Sequence, residues 1–360
     1  MRIMLLLLLI GCIHFTIGSQ EIVTEHLNGT IGNSPVTFDI ISNAMTMKGT
    51  YYYTKLGTTL TITGEKNPDG TYTVHESVDD KNTGMMTLKY TDDGFFGEWV
   101  SHDGKKRAPV KAEFDKSAVQ FAVRTIEMNQ HLFNDTTKPA CSIILNYLEP
   151  ADTLTGKIPD ELNRSLMKAF FGEFALDTVR ESSIAITKEF QTGFLALEKE
   201  YAELVKDGYP FQWTYEQNMS IVFNDFGILT LETTVYSFAG GAHPNGSIFY
   251  TVIDRKTGKI IAFDDIFISG SQKKLSTMIT AEILSTMKKH DPSIKKLSDA
   301  GFFEDTVQPN ANIVVTKAGI KFVYNAYEIA PYVVGLQEVL LPYFKIRELI
   351  KKDCLIRELF

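Results

Sequence analysis

Phe211–Phe223 (FQWTYEQNMSIVF), Asn224–Gly227 (NDFG), Ile228–Phe238 (ILTLETTVYSF), Ala239–Gly246 (AGGAHPNG) and Ser247–Ile253 (SIFYTVI) run on without a break. Three β-prone stretches, rich in β-branched and aromatic residues, are separated by turn chemistry. Asn-Asp-Phe-Gly makes the first turn, a glycine-rich loop makes the second, and Asp254–Gly258 ends the third stretch. The passage predicts three strands of an antiparallel sheet and places the second half of the chain among sheet-containing folds.

Working outward, the flanks add helices. Asp160–Ala175 is amphipathic, with Leu162, Leu166, Ala169, Phe170 and Phe174 near helical spacing. Phe194–Lys206 reads as another helix, ended by Asp207-Gly208-Tyr209-Pro210. The longest is expected over Ser271–His290, where Leu275, Ile279, Ile283, Leu284 and Met287 share a face. Ser142–Leu148 reads as a strand, Asn312–Thr316 and Ile320–Tyr324 as a hairpin, Val333–Leu340 as the last strand, and Tyr343–Lys352 as a basic amphipathic helix. The class is α+β.

Upstream the pattern is all strand. Over residues 21–115, short β-prone runs alternate with Asn28-Gly29, Gly32-Asn33, Asn67-Pro68-Asp69-Gly70, Asp92-Asp93-Gly94 and His102-Asp103-Gly104. Asx-Gly pairs suit tight hairpins because these residues tolerate positive φ. An antiparallel meander, or a small barrel made by curling it, is expected. A weak echo links Gly49-Thr50-Tyr51-Tyr52-Tyr53 to Gly97-Glu98-Trp99-Val100. Phe121–His131 suits a strand or a short helix, and Asn134–Pro139 is polar with a helix-hostile end. The division that follows is a leader over 1–19, a β-rich domain over 20–117, a linker over 118–138, a small α+β module over 139–209, a C-terminal domain over 210–353 and a tail over 354–360.

The chain opens Met1-Arg2, then an apolar run Ile3–Ile10 with Gly18 and Ser19 beyond, in the order of a secretory leader. Cleavage near Ser19 leaves Gln20 first. Alternatively Leu9-Ile10-Gly11-Cys12 serves as a lipobox and Cys12 becomes a lipid anchor, the only membrane attachment foreseen. Loss of residues 1–19 moves the net charge from −8 to −9. That balance argues against nucleic acid, whose binders concentrate basic residues, and allows a cationic protein partner. Cys141 and Cys354 are able to pair in an oxidising compartment, although their spacing does not demand it.

Catalytic motifs fall short. Asp264-Asp265, after an apolar stretch, has the form in which polysaccharide deacetylases supply a metal ligand and a base, but two histidines one helical turn apart are missing. The pair reads as a strand end and cap. His75-Glu76 lacks the second histidine of a zinc-protease motif, since Asp79 stands there, and no nucleophile elbow, phosphate loop or dinucleotide fingerprint occurs. No catalytic residue, metal or cofactor is expected. Two other stretches suggest binding. Ser237–Gly246 carries Gly240, Gly241, His243 and Asn245 and either presents donors at the surface or is a plain hairpin connection. Tyr324–Gly335 carries Tyr327, Glu328 and Tyr332 and either forms a binding surface or packs its rings inward at a corner.

Taken in order, Gly-Gly-Ala-His (240–243), Thr257-Gly258-Lys259, Asp264-Asp265-Ile266-Phe267 and Tyr327-Glu328-Ile329-Ala330-Pro331-Tyr332 with Gly335 resemble a known extracytoplasmic domain. It is shared by the lysozyme-sensing anti-sigma regulator RsiV and the peptidoglycan deacetylase PdaC. The resemblance spans about residues 139–350, with 141–209 similar to the smaller module ahead of it. It implies an envelope location and an α+β fold. In RsiV the domain binds lysozyme; in PdaC the deacetylase chemistry belongs to a separate domain with no counterpart here, so no activity carries over. The N-terminal part is more like β-rich modules of exported Bacteroidota-like proteins. The expectation is a non-enzymatic envelope protein that binds lysozyme or a cell-wall glycan such as peptidoglycan through Gly240, Gly241, His243, Asn245, Tyr327, Glu328 and Tyr332. The alternatives are a polysaccharide-modifying enzyme using Asp264 or Asp265 with His243, and a structural lipoprotein.

Overall fold

Eight strands in the N-terminal part close on themselves: β1 (Thr24–Ile31), β2 (Ser34–Ser42), β3 (Thr46–Tyr53), β4 (Thr59–Lys66), β5 (Tyr72–Val78), β6 (Lys81–Thr91), β7 (Gly94–Ser101) and β8 (Arg107–Phe114). Each pairs antiparallel with the next, and β8 returns to β1 with Ile31 opposite Val110. Of the two arrangements expected, the barrel is the one formed. The structure is a computed structural model and describes residues 22–78, 81–115, 118–151, 160–196, 201 and 212–360. The leader expected over 1–19, with Cys12, lies outside them.

Strands in so small a barrel bend sharply, and glycine permits the approach. A Cβ on Gly49 would lie 2.2 Å from the Asp39 carbonyl oxygen, and one on Gly97 1.9 Å from that of Thr87. These are the two glycines of the sequence echo, and the echo has a structural meaning. Two residues beyond each, Tyr51 Oη and Trp99 Nε1 (2.8 Å) both donate to Glu76, which Thr83 Oγ1 also reaches at 2.6 Å. Glu76 is buried among the interior side chains, whereas its neighbour His75 is exposed. Strand alternation separates the two residues that had looked like half a metal motif. Phe38, Tyr51 and Phe95 are among the large side chains that pack the interior.

A five-stranded sheet follows, with β9 (Phe121–His131), β10 (Ala140–Pro150), β11 (Trp213–Asp225), β12 (Ile228–Phe238) and β13 (Asn245–Asp254) in the order β13-β12-β11-β10-β9. Two expectations are corrected here. Residues 118–138 are not purely a linker, because Phe121–His131 pairs along its whole length with β10 and buries Ile126 and Met128. The sheet is also not wholly antiparallel. β10 and β11 run parallel, Cys141 opposite Trp213, because the chain between them is long enough for the helical crossover that parallel strands require. That crossover contains α1 (Asp160–Phe171) and α2 (Val179–Ala196). The helix expected at Phe194–Lys206 lies largely outside the described residues. Both helices cover one face of the sheet through Leu162, Leu166, Phe170, Ile186 and Phe194, against Ile143, Leu145 and Leu231.

Beyond β13 come α3 (Phe263–Ile266), α4 (Gln272–His290) and a three-stranded antiparallel sheet of β14 (Ile313–Val315), β15 (Gly319–Tyr324) and β16 (Gln337–Pro342), closed by α5 (Tyr343–Ile346). The last strand starts later than expected, because Tyr332–Val334 forms one 3-10 turn ended by Gly335 at φ 74°. The helix expected over Tyr343–Lys352 stops at Ile346; Ile350 pairs with Phe267 and Lys351 N–H donates to the Ile266 carbonyl, which draws the chain out. Residues 354–360 are not a loose tail. Ile356 and Leu359 are buried, and the Phe360 ring stacks on Tyr343 at 4.4 Å. Cys141 and Cys354 are free thiols in two different cores, so the disulfide is not formed.

The barrel is joined to the sheet by polar and apolar contacts. Tyr52 leaves the barrel wall, packs on Phe223 at 5.6 Å and donates to Asp225 Oδ2 at 2.5 Å. Beside it, His26 Nδ1 lies 2.7 Å from Asp39 Oδ1 with both side chains almost wholly buried.

Candidate functional site

The outer edge of β13 is finished by asparagine side chains in place of a further strand. A carboxamide carries the same donor and acceptor as a peptide group, so it can complete a ladder. Asn325 Oδ1 accepts the Ile248 N–H at 2.8 Å while its Nδ2 donates to the Ile248 carbonyl at 3.0 Å. Asn312 Oδ1 accepts the Tyr250 N–H at 2.8 Å, and its Nδ2 donates to Ile248 and Val323. The Ile261 N–H takes the next outward carbonyl, that of Val252. These bonds bring the start of β13, and the glycine loop before it, against the loop that follows β15.

That second loop is shaped by Glu328. Its Oε2 accepts the Asn325 N–H at 2.9 Å and its Oε1 accepts Asn310 Nδ2 at 2.7 Å. Between them Tyr327 takes φ 69°, a left-handed conformation that a bulky residue holds only when its surroundings enforce it. The effect is to turn the Tyr327 ring outward.

The two loops meet. His243 stacks on Tyr332 with ring centres 4.0 Å apart and planes 16° from parallel, and Tyr327 flanks Tyr332 at 5.6 Å. His243 Nδ1 faces the Pro244 carbonyl at 2.9 Å, which can only accept, so Nδ1 donates there. Tyr327 Oη lies 3.4 Å from His243 Nε2, and Tyr332 Oη 3.4 Å from the Pro244 carbonyl, both long contacts. Gly240 and Gly241 have φ of 83° and 99° with no atom near a notional Cβ, so their glycines serve backbone shape in open solvent. The platform is exposed: Tyr327 is 55 % and Val333 90 % accessible. Phe303, also exposed, is tied in through its N–H to the Ile329 carbonyl.

Six of the seven residues expected from sequence are thereby placed together: Gly240, Gly241, His243 and Asn245 in one loop, Tyr327 and Tyr332 in the other. Asn245 is exposed at the first position of β13. Glu328 stands beside them, but its two oxygens hold the loop. Sequence reasoning missed Asn312, Asn325, Val333 and Phe303. The adjacent Phe302-Phe303 pair was a usable signal, since alternate directions bury Phe302 and expose Phe303.

Asp265 takes the capping role expected of it, its Oδ2 accepting the Ala262 N–H at 2.9 Å at the start of α3. Among the described residues no group of three or more His, Cys, Asp or Glu is placed to hold a metal ion, and no helix is long and apolar enough to cross a membrane. A concavity of about 540 Å³ at the C-terminal end of α1 is lined by Phe171, Phe174, Phe249 and Phe263. Two of its polar side chains are already bonded, Gln217 Nε2 donating to the Phe170 carbonyl and Thr233 Oγ1 to that of Ala169.

This geometry stands in a region with known relatives. Residues 264–344 match the family model described as protein of unknown function (DUF3298), and residues 135–246 match the one described as deacetylase PdaC. The two matches meet the resemblance read from the motifs. Among solved structures, a DUF3298-family protein of Bacteroides fragilis is similar at 24 % identity and a TM-score of 0.57, covering 68 % of this chain and 99 % of its own. A DUF3298-family protein of Pseudomonas aeruginosa PAO1 reaches 17 % identity and a TM-score of 0.47, covering 65 % and 96 %. The first likeness supports the fold of the C-terminal region. No curated protein matches.

Proposed function

We propose that the protein is an exported, non-enzymatic binding module of the cell envelope, and that the His243–Tyr327–Tyr332 platform docks a protein such as lysozyme or a cell-wall glycan. The observation that supports this is the pairing of two distant loops into one outward aromatic surface. Rigid, amphipathic rings give contact area at little entropy cost, and exposed Val333 and Phe303 extend it. The negative net charge favours encounter with a cationic protein.

An enzymatic reading rests on the deacetylase name of the model that matches residues 135–246. Asp265, one of the two carboxylates it would use, is committed to capping. Calorimetric titration with lysozyme and with soluble peptidoglycan fragments tests the proposal. Binding of either, lost in Tyr332→Ala and Tyr327→Ala, is expected. No heat from either ligand at millimolar concentration contradicts it.

A further inference from the structure

Helices α1 and α2 cover one face of the five-stranded sheet; on the other face a set of side chains stays partly or fully accessible. The strand registers set its side chains in rows. One row runs Thr125, Asn146, Asn218, Thr234 across β9, β10, β11 and β12. Its first three members are joined: Thr125 Oγ1 donates to Asn146 Oδ1 at 2.6 Å, and Asn146 Nδ2 to Asn218 Oδ1 at 2.7 Å. The next row runs Glu127, Ile144, Glu216, Tyr236. Glu127 and Tyr236 are exposed and the rest of both rows is half-buried.

A sheet face left partly accessible, as this one is, is ordinarily polar, and that alone would call for nothing more. Its composition goes further. Asparagine is disfavoured in strands, yet Asn146 and Asn218 stand opposite each other on two interior strands. Glu127 and Glu216 add carboxylates, and Glu232 on β12 adds a third that accepts the Tyr250 hydroxyl at 2.7 Å. None of these positions carries a basic side chain. At the flank, where Glu338 acts on Tyr250, Lys321 is already paired with Glu338 at 2.7 Å.

We propose that this face binds a polysaccharide bearing free, protonated amino groups, laid across the strands. Rows of side chains repeat at the strand spacing of about 4.8 Å, and Glu127 and Glu216 stand two strands apart in one row, which sets carboxylates against alternate sugars. Glu127 and Glu216 pair with ammonium groups in charge-assisted hydrogen bonds. Asn218 Nδ2 and the Thr234 hydroxyl meet sugar hydroxyls, and the Tyr236 ring lies against a sugar's C–H face. The inference takes up the reading of the region as a binding module but uses none of the platform residues, so either can fail alone.

The test is calorimetry on the full chain at low salt, with a glucosamine hexamer and an N-acetylglucosamine hexamer as probes. The free-amine oligomer binds, and Glu216→Gln, Asn218→Ala and Glu127→Gln each weaken it about tenfold. Glu127 is exposed on the edge strand, so its variant keeps the test meaningful if the interior ones fold poorly. Added salt weakens binding as it screens the charges, and Tyr332→Ala leaves it unchanged. The proposal is overturned if the free-amine oligomer shows no heat at millimolar concentration or the acetylated oligomer binds equally well. It is also overturned if folded face variants bind like the wild type, or if only Tyr332→Ala abolishes binding.

Discussion

Replacing Asn325 by alanine removes both bonds by which the platform's second loop holds β13. The Ile248 carbonyl keeps Asn312 Nδ2, so the loss falls mainly on the Ile248 N–H, left without its acceptor. Two net hydrogen bonds are worth about 1 kcal/mol each, and an orphaned donor about 1–3 kcal/mol where water is shut out. Asn325 is half-buried, so water recovers part of this, and a loss of about 2 kcal/mol is expected. The clearest assay is native-state hydrogen exchange, which reports opening residue by residue in a chain with several cores. A local loss of about 2 kcal/mol speeds exchange of the Ile248 amide roughly thirtyfold. Asn325→Asp keeps the acceptor but sets a carboxylate oxygen against the Ile248 carbonyl, and it should be at least as damaging. Unchanged Ile248 protection in Asn325→Ala, with a stability change below about 0.5 kcal/mol, refutes the view that asparagines finish this edge.

Three further outcomes follow from other sites. Burial opposes the charging of His26, but the hydrogen bond and charge of Asp39 outweigh it and raise the His26 pKa above its ordinary 6.5. A raised folded-state value stabilises fully below 6.5 and is lost as pH rises through the folded pKa, so stability should decline over that range in the wild type and not in His26→Gln, as read by urea denaturation at a series of pH values. Glu76→Ala takes the acceptor from Tyr51 and Trp99, while Thr83 keeps the Glu76 carbonyl, and should cost about 2–4 kcal/mol, measured by denaturation followed through tryptophan fluorescence. Burial pushes the Cys141 thiol up to about 12, so a thiol reagent at neutral pH should label it only on unfolding, and non-reducing mass analysis should find no Cys141–Cys354 bridge.

Much of the fold was legible where the information is local. Ile228–Phe238 is a strand with the expected bounds, and α4 differs from expectation by one residue, since turn residues and a clear apolar face decide both. Helix α2 was missed for a chemical reason. Ser182, Ser183, Thr187 and Thr192 blur its apolar pattern, and each hydroxyl satisfies itself by donating to a carbonyl four residues back. The parallel pairing of β10 with β11 depends on a long crossover, which no local pattern encodes. The tail was misjudged because Ile356 and Leu359 find their partners only in the assembled core. For the platform, both loops were visible in the sequence, but their adjacency comes from Asn312 and Asn325 acting across the edge of β13. That the oxygens of Glu328 also hold its loop could not be read from sequence.

The central claim is that the paired loops are the binding surface. The most direct measurement is the hydrogen-exchange footprint of the full chain with lysozyme and, separately, with soluble peptidoglycan fragments. The account predicts new protection at residues 240–246 and 327–335 with one of these ligands, absent in Tyr332→Ala. Protection confined to other parts of the chain, or none with either ligand at saturating concentration, would contradict it.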